Sequence, residues 1–214
     1  MQAYQLFGMM MSSRNNYCWK RFPQWLRLEL VSDHAGETGA VEIYRGAIHG
    51  LRLRNFSKKV APPVFEFLCH HQGAETRHLE LMNEIVPKQS RSSLLPLWVV
   101  SGYTLGFIPA FFGGQRAVYW TIFAVETFVE EHYQAQIFRL KEEGNLFPDL
   151  TQTLEECCAD EVAHKLDAGN ALLHDGAILC EELPLMISAA PLVRAWCAII
   201  DRGSRAAVAV SKVL

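Results

Sequence analysis

Charge is scarce in this 214-residue chain: only 20% of its residues are Asp, Glu, Lys or Arg, while 50% are hydrophobic. That excludes disorder as the dominant state, because disordered chains combine low hydrophobicity with high net charge. A basic excess is also lacking. Twenty Lys and Arg stand against 23 Asp and Glu, a net charge of −3, and a nucleic-acid partner is excluded on that ground. The six cysteines (Cys18, Cys69, Cys157, Cys158, Cys180, Cys197) contain no CxxC spacing, and the adjacent pair 157–158 is a poor framework element. They read as reduced thiols in a reducing compartment. Nor does any run alternate cleanly at period two, so strands are not expected. The length is ample for one buried core without disulfides or structural zinc.

What is present is helical periodicity. Apolar and small residues recur at three and four from Leu26 to Arg54, a stretch without proline. Pro62-Pro63 opens a second helix that runs to about Ile85 and is stopped by Pro87. Residues 88–93 read as a loop. A third helix runs from about Gln115 to Glu143 and ends at the glycine signal Gly144-Asn145. Pro148 opens a fourth, to about Leu173, and a last apolar stretch, Leu183–Leu214, is broken by Pro184 and Pro191. Residues 1–24 read as a flexible lead-in and 25–214 as one domain. The first 28 residues hold Arg14, Lys20, Arg21 and Arg27 but no acid, as a transit-peptide remnant or a disordered basic segment would, and no secretory cleavage site follows them. The expected class is all-α, a bundle of four long helices with hydrophobic additions.

Two ExxH spacings, Glu75-His78 and Glu161-His164, each place a carboxylate and an imidazole on one helix face. One such pair is weak evidence, but a glutamate stands about one helical hairpin ahead of each: Glu37 in the first helix and Glu126 in the third. The surroundings repeat as well. Ala35, Glu37, Thr38, Glu42 and Tyr44 match Ala124, Glu126, Thr127, Glu131 and Tyr133 at the same offsets, the mark of an internal duplication. Four glutamates and two histidines converging inside a bundle form the ligand set of ferritin-like di-iron and di-manganese carboxylate proteins. Two divalent ions held close together need about four negative charges for neutrality, and oxygen with imidazole ligation suits iron or manganese. Six polar residues on wet helix faces with accidental spacing would not produce the repeat.

The segment Asp33-His34-Ala35-Gly36-Glu37-Thr38-Gly39-Ala40, followed by Ile43-Tyr44-Arg45-Gly46, resembles the signature of the demethoxyubiquinone hydroxylase family of ubiquinone biosynthesis. Similarity continues through Glu75-Thr76-Arg77-His78, Pro96-Leu97-Trp98, Ala124-Val125-Glu126, His132-Tyr133 and Asp160-Glu161. It extends into Ile199-Ile200, Gly203, Arg205, Ala206 and Ser211, covering about residues 28–214. The resemblance implies a ferritin-like, peripherally membrane-associated di-iron mono-oxygenase. Such an enzyme hydroxylates the ring of a polyprenylated benzoquinol (3-demethoxyubiquinol) with dioxygen as co-substrate. The family's iron ligands fall on Glu37, Glu75, His78, Glu126, Glu161 and His164, and two iron ions are the implied cofactor. It also implies a polyprenyl quinol substrate, a membrane lipid surface and other ubiquinone-biosynthesis proteins as partners, and an oligomer is compatible with it. The implied location is the inner face of a bacterial cell membrane or the matrix side of the mitochondrial inner membrane. Two departures, Ala47 after the IYxG element and Thr127 beside Glu126, leave the exact ring substrate open.

Other residues carry secondary expectations. Tyr44 and Tyr133 lie two turns beyond a ligand glutamate, placed to bond a ligand or a quinol hydroxyl; a core tyrosine is the alternative. Glu130 reads as solvated rather than as a spare carboxylate. Asp33 and His34 read as partners orienting a ligand histidine, with helix capping by Ser32 or Asp33 as the equal alternative. His49, His70, His71 and His174 read as packing or surface residues. Residues 92–115 carry no charge, yet Pro96, Pro109 and four glycines predict a broken helical pair packed on the bundle, facing lipid or a greasy tunnel. Gly102 and Gly106 form a GxxxG that allows close helix contact. Arg52, Arg54, Lys58 and Lys59 form a basic cluster suited to anionic headgroups, or simply a solvated helix end. A ferroxidase or iron-handling protein with the same six ligands is the alternative function, disfavoured by the apolar stretches.

Overall fold

The computed structural model describes residues 18–55, 62–173 and 189–213. It is all-α. In chain order the long helices are α1 (Gln24–Arg54), α2 (Pro62–Ile85), α3 (Leu95–Gly113), α4 (Gln115–Glu142), α5 (Pro148–Leu172) and α6 (Pro191–Ser211). A four-helix, ferritin-like bundle is made by two hairpins, α1 with α2 and α4 with α5, joined where α1 meets α4 and α2 meets α5. α3 lies along α1, and α6 crosses α4 and α1.

The four bundle helices share one sequence device, a buried stripe at alternating steps of three and four. In α2 it runs Val64, Leu68, His71, Glu75, His78, Met82, Ile85; in α5 it runs Leu150, Leu154, Cys157, Glu161, His164, Ala168, Leu172. An apolar stripe of this spacing packs helices side by side. Both stripes are greasy at their ends and polar in the middle, so hydrophobic packing above and below forces the polar middle turns inward. The α4–α5 turn follows its predicted signal. Gly144, at φ 88°, donates to the Lys141 carbonyl and Asn145 to that of Leu140, the paired bonds of a glycine-terminated helix.

The uncharged stretch corrects the expectation of a broken pair: α3 is one continuous helix. Pro96 falls in its first turn, where the missing N–H has no partner to lose. Pro109 falls in the last turns, and Arg54 of α1 then donates to the terminal carbonyls of Phe111 and Phe112, at 2.7 and 2.8 Å. Its glycines are used for contact rather than for breakage. A Cβ at Gly106 would lie 1.9 Å from the Ile43 carbonyl oxygen, and one at Gly102 would lie 2.3 Å from that of Gly39. From the α1 side, Gly46 approaches the Tyr103 carbonyl and Gly50 that of Phe107 just as closely. By length and composition α3 is also apolar enough to cross a membrane, and only 17% of its apolar window is buried.

The basic cluster is divided. Arg54 is spent on the end of α3, Arg52 lies over the Phe65 ring at 5.1 Å, and Lys58 and Lys59 fall outside the described residues. Residues 19–21 form a 3₁₀ turn that leads into Phe22, which is buried edge-on against Phe147. Residues 1–17 of the lead-in, Cys180, His174 and most of 183–193 lie outside the described residues. Cys18, Cys69, Cys157, Cys158 and Cys197 are free thiols.

Candidate metal centre

Halfway along the bundle, the polar turns of the four stripes meet. Glu37 comes from α1, Glu75 and His78 from α2, Glu126 from α4, and Glu161 and His164 from α5, each 4% exposed or less. Their donor atoms fall into two clusters: Glu37, Glu75, His78 and Glu161 in one, and Glu75, Glu126, Glu161 and His164 in the other, with the atoms of each within 4.8 Å of one another. Glu75 and Glu161 belong to both. Two carboxylates shared between two clusters are what a pair of bridged cations requires.

The sequence repeat becomes a spatial exchange. His78 Nδ1 lies 3.0 Å from Glu161, and His164 Nδ1 lies 2.9 Å from Glu75, so each hairpin's imidazole faces the other hairpin's glutamate. The tyrosines exchange likewise. Tyr44 of α1 donates to Glu126 at 3.0 Å, and Tyr133 of α4 donates to Glu37 at 2.5 Å. Both rings are fully buried, and burial raises both phenols well above their ordinary value, keeping them as donors. Their hydroxyls therefore fix carboxylates rather than stand free.

The electrostatics suit a site that could hold a cation. Burial raises Glu37, Glu75 and Glu126 above the ordinary carboxylate range. Burial acts on Glu161 in the same sense, but the imidazoles of His164 and His78 outweigh it and bring it to about 2. His164 is raised to about 9 against the opposing effect of burial, by Glu161 and Glu75. Four carboxylates share two imidazoles in a dry pocket, and the excess negative charge calls for metal or protons. Polar atoms that are buried without a hydrogen-bond partner are rare in folded proteins. Among the described residues they concentrate here: Glu37 Oε2, Glu75 Oε1, both Glu161 oxygens, His78 Nδ1 and His164 Nδ1. Every one is a donor atom turned toward the cluster, and the set fits a pair of divalent ions.

Some expectations are redirected by the packing. The residue that holds His78 from behind is Asp160, 3.1 Å from its Nε2; neither Asp33 nor His34 does so. Asp33 instead accepts from His132 and Gln136, and His34 pairs with Asn83 at 3.1 Å. Helix α1 begins at Gln24, so Ser32 and Asp33 lie inside it and cap nothing. Glu130 is not a solvated residue but the partner of Lys165, whose side chain is 5% exposed. Of the two readings for His71, packing rather than surface holds: it is 2% exposed, 3.2 Å from Asp167, with its ring 4.3 Å from that of His164 and 4.5 Å from that of Phe67. His49 does lie at the surface, bonded to Tyr103 at 3.0 Å. Asp160 is the residue at the cluster that sequence reasoning missed. Its signal was position, since it stands directly before the ExxH glutamate Glu161.

A half-open cavity of about 420 Å³ leads from this cluster to the surface. Glu37, Glu75, Glu126 and Glu161 form its floor, Trp98 and Leu105 of α3 one wall, and Ile199, Ile200 and Val208 of α6 another. Tyr133 lines it; Tyr44 does not. Gly36 opens it, because a Cβ there would meet nothing within 4 Å. Leu97, Val100, Phe112, Leu192 and Ile199 of α3 and α6 are exposed apolar residues, and of these Ile199 also lines the cavity.

A family model described as ubiquinone biosynthesis protein COQ7 matches residues 24–211. The mitochondrial NADPH-dependent 3-demethoxyubiquinone 3-hydroxylase of Dictyostelium discoideum is 29% identical over 180 residues, 84% of this chain and 73% of that protein. The protein of the same name from Homo sapiens is 31% identical over 185 residues, 85% of this chain and 75% of its own length. The 3-demethoxyubiquinol 3-hydroxylase of Rhodospirillum rubrum is 33% identical over 159 residues, 73% of this chain and 68% of that protein.

Proposed function

Because this chain belongs to the ubiquinone biosynthesis protein COQ7 family, we propose that it hydroxylates the ring of a polyprenylated benzoquinol, a 3-demethoxyubiquinol 3-hydroxylase step. The observation that carries the reading is the pair of carboxylate–imidazole clusters sharing Glu75 and Glu161 at the floor of an apolar cavity. Glu37 and His78 complete one metal position, Glu126 and His164 the other. Two iron ions bound there supply the reduction of dioxygen and the transfer of one oxygen atom to the ring. A reduced nicotinamide serves as reductant, in keeping with the names of the mitochondrial relatives.

The chain's own residues prepare that chemistry. Tyr44 and Tyr133 hold Glu126 and Glu37 in place, and Asp160 fixes the ring of His78, so the donor atoms are set before any ion arrives. The walls of α3 and α6 exclude water and accept an isoprenoid tail, which brings the ring to the carboxylate floor with Tyr133 beside it. A tailed quinol resides in lipid, and the exposed apolar residues of α3 and α6, the two helices that wall the cavity, offer a docking face. The chain then works as a peripheral protein on a membrane surface, with the mouth turned to the bilayer. A ferroxidase would need a polar route for iron, and the route seen here is greasy.

Iron-loaded protein, given a short-tailed demethoxyquinol, NADPH and labelled dioxygen, forms a product heavier by one oxygen atom drawn from the gas, read by mass spectrometry. Full iron loading with no oxygenated product, together with oxidation of many irons per chain, overturns the hydroxylase in favour of iron handling.

A further inference from the structure

Outside the glutamate–histidine cluster, two cavity-lining residues hold a buried polar atom without a hydrogen-bond partner among the described residues: Asp33, at Oδ2, and Trp98, at Nε1. Buried polar atoms are ordinarily paired, so each points to a partner that the chain itself does not supply. The two are chemically opposite. A carboxylate oxygen accepts, and an indole N–H only donates. Asp33 is 5% exposed, and its Oδ1 already accepts from His132 at 3.0 Å and from Gln136 at 2.9 Å, which fixes the carboxylate and leaves Oδ2 over. The Tyr133 hydroxyl, which lines the same cavity, is spent on Glu37.

The fold brings these two groups to one place. α1 and α3 run parallel, with Gly39 against Gly102 and Ile43 against Gly106. In that register Trp98 stands about one turn before Gly39, level with Gly36, and Asp33 lies one turn before Gly36, about 4.5 Å along the axis. Between them Gly36 leaves space, since a Cβ there would meet nothing within 4 Å, and Glu37 of the carboxylate floor follows it directly. We propose that Asp33 and Trp98 recognise the substrate's head group, a hydroxylated ring seated over Gly36. Asp33 Oδ2 accepts a ring O–H, and the Trp98 N–H donates to a ring oxygen. The proposal rests on the quinol reading above and deepens it by assigning the oxidation state that the site selects. Trp98 serves quinol and quinone alike, because both carry ring oxygens that accept. Asp33 does not: a quinone has no O–H, and binding it leaves the buried carboxylate oxygen unpaired against a carbonyl. A site built to bond a substrate hydroxyl rejects the analogue that lacks it. The cavity therefore takes the reduced ring.

The test is anaerobic isothermal titration calorimetry of the full chain loaded with redox-inert Zn(II). The probes are a short-tailed demethoxyquinol and the matching quinone. Wild type binds the quinol about ten- to a hundred-fold more tightly than the quinone. Asp33→Asn keeps an oxygen for His132 and Gln136 but turns an amide N–H toward the ring, so the preference for quinol disappears or reverses. Trp98→Phe keeps an aromatic wall and weakens both probes about two- to ten-fold, with their ratio unchanged. Equal wild-type affinities for the two probes, or a wild-type ratio retained in Asp33→Asn, overturn the proposal and leave the hydroxylase reading standing. Affinities unchanged by Trp98→Phe overturn the part given to Trp98. Binding of neither probe to wild type overturns the quinol reading itself, and this proposal with it. If Asp33→Asn does not fold, the wild-type ratio decides alone.

Discussion

At the scale of single residues, the exchange between hairpins determines how the centre is held. A carboxylate in a dry pocket has several low-energy rotamers, and a buried hydroxyl selects one of them. Tyr133→Phe and Tyr44→Phe each remove one bond to a terminal glutamate without changing the ring. Each variant is expected to keep its helix content but to bind one of two ferrous equivalents about ten- to a hundred-fold more weakly in an anaerobic titration. A second prediction concerns His132, which bridges α1 and α4. Burial acts to lower its pKa, but the Asp33 hydrogen bond and the charges of Asp33 and Glu29 prevail over it and over Lys212, so the folded value lies above 6.5. A raised cationic pKa contributes stability that is fully present below the unfolded value and is lost as the pH rises through the folded one. The Tm difference between wild type and His132→Asn should therefore be largest below about pH 6.5 and shrink on the alkaline side. A difference that does not change with pH refutes this account.

At the scale of elements, the α1–α3 contact depends on the absence of side chains. Backbone meets backbone at Gly46, Gly102 and Gly106, so an added methyl there has only main chain to push against, and at Gly50 it would meet the Phe107 carbonyl and the Ala110 Cβ. Gly106→Ala is expected to cost about 3 kcal/mol, which lowers Tm by roughly 6–12 °C in a domain of this size. Gly73→Ala is the control. It sits in α2, where the added Cβ comes no closer than 3.8 Å to its neighbour. There the gain in helix propensity, about 0.5–1 kcal/mol, should raise Tm. Calorimetry on the two variants separates helix propensity from helix contact, and equal shifts would show that the close approach carries no energy. The expectation of a break at residues 92–115 had counted proline and glycine as breakers. What it lacked was Arg54, far away in sequence, which satisfies the end of the helix, and a partner stripe that turns glycine from a defect into a fit.

At the scale of the whole molecule, the apolar surplus serves two purposes. Part of it packs the two ends of the bundle, and the remainder surrounds the cavity and continues to the surface on α3 and α6. If that outer part seats the protein on lipid, Phe112→Asp should weaken binding. Losing one large apolar side chain of about 2 kcal/mol lowers partition onto large unilamellar vesicles roughly thirty-fold. Phe112 is 72% exposed and far from the carboxylates, so iron uptake should not change. Unaltered sedimentation with vesicles would rule α3 out as the docking face.

Helical class, element order and the six converging residues were legible in the sequence because they are periodic. Steps of three and four mark which face turns inward, and a polar break in an apolar stripe marks where chemistry sits. The repeat around Glu37 and Glu126 also revealed the two-fold plan. Contact between segments is not periodic, and only the tertiary structure decided it. Tyr44 reaches Glu126 and not its own Glu37, Asp160 rather than Asp33 holds His78, and His71 lies against His164. Each of these depends on the antiparallel register of one hairpin against the other, which packing sets across the core. Local spacing specifies a face; the partner on that face is chosen by the fold.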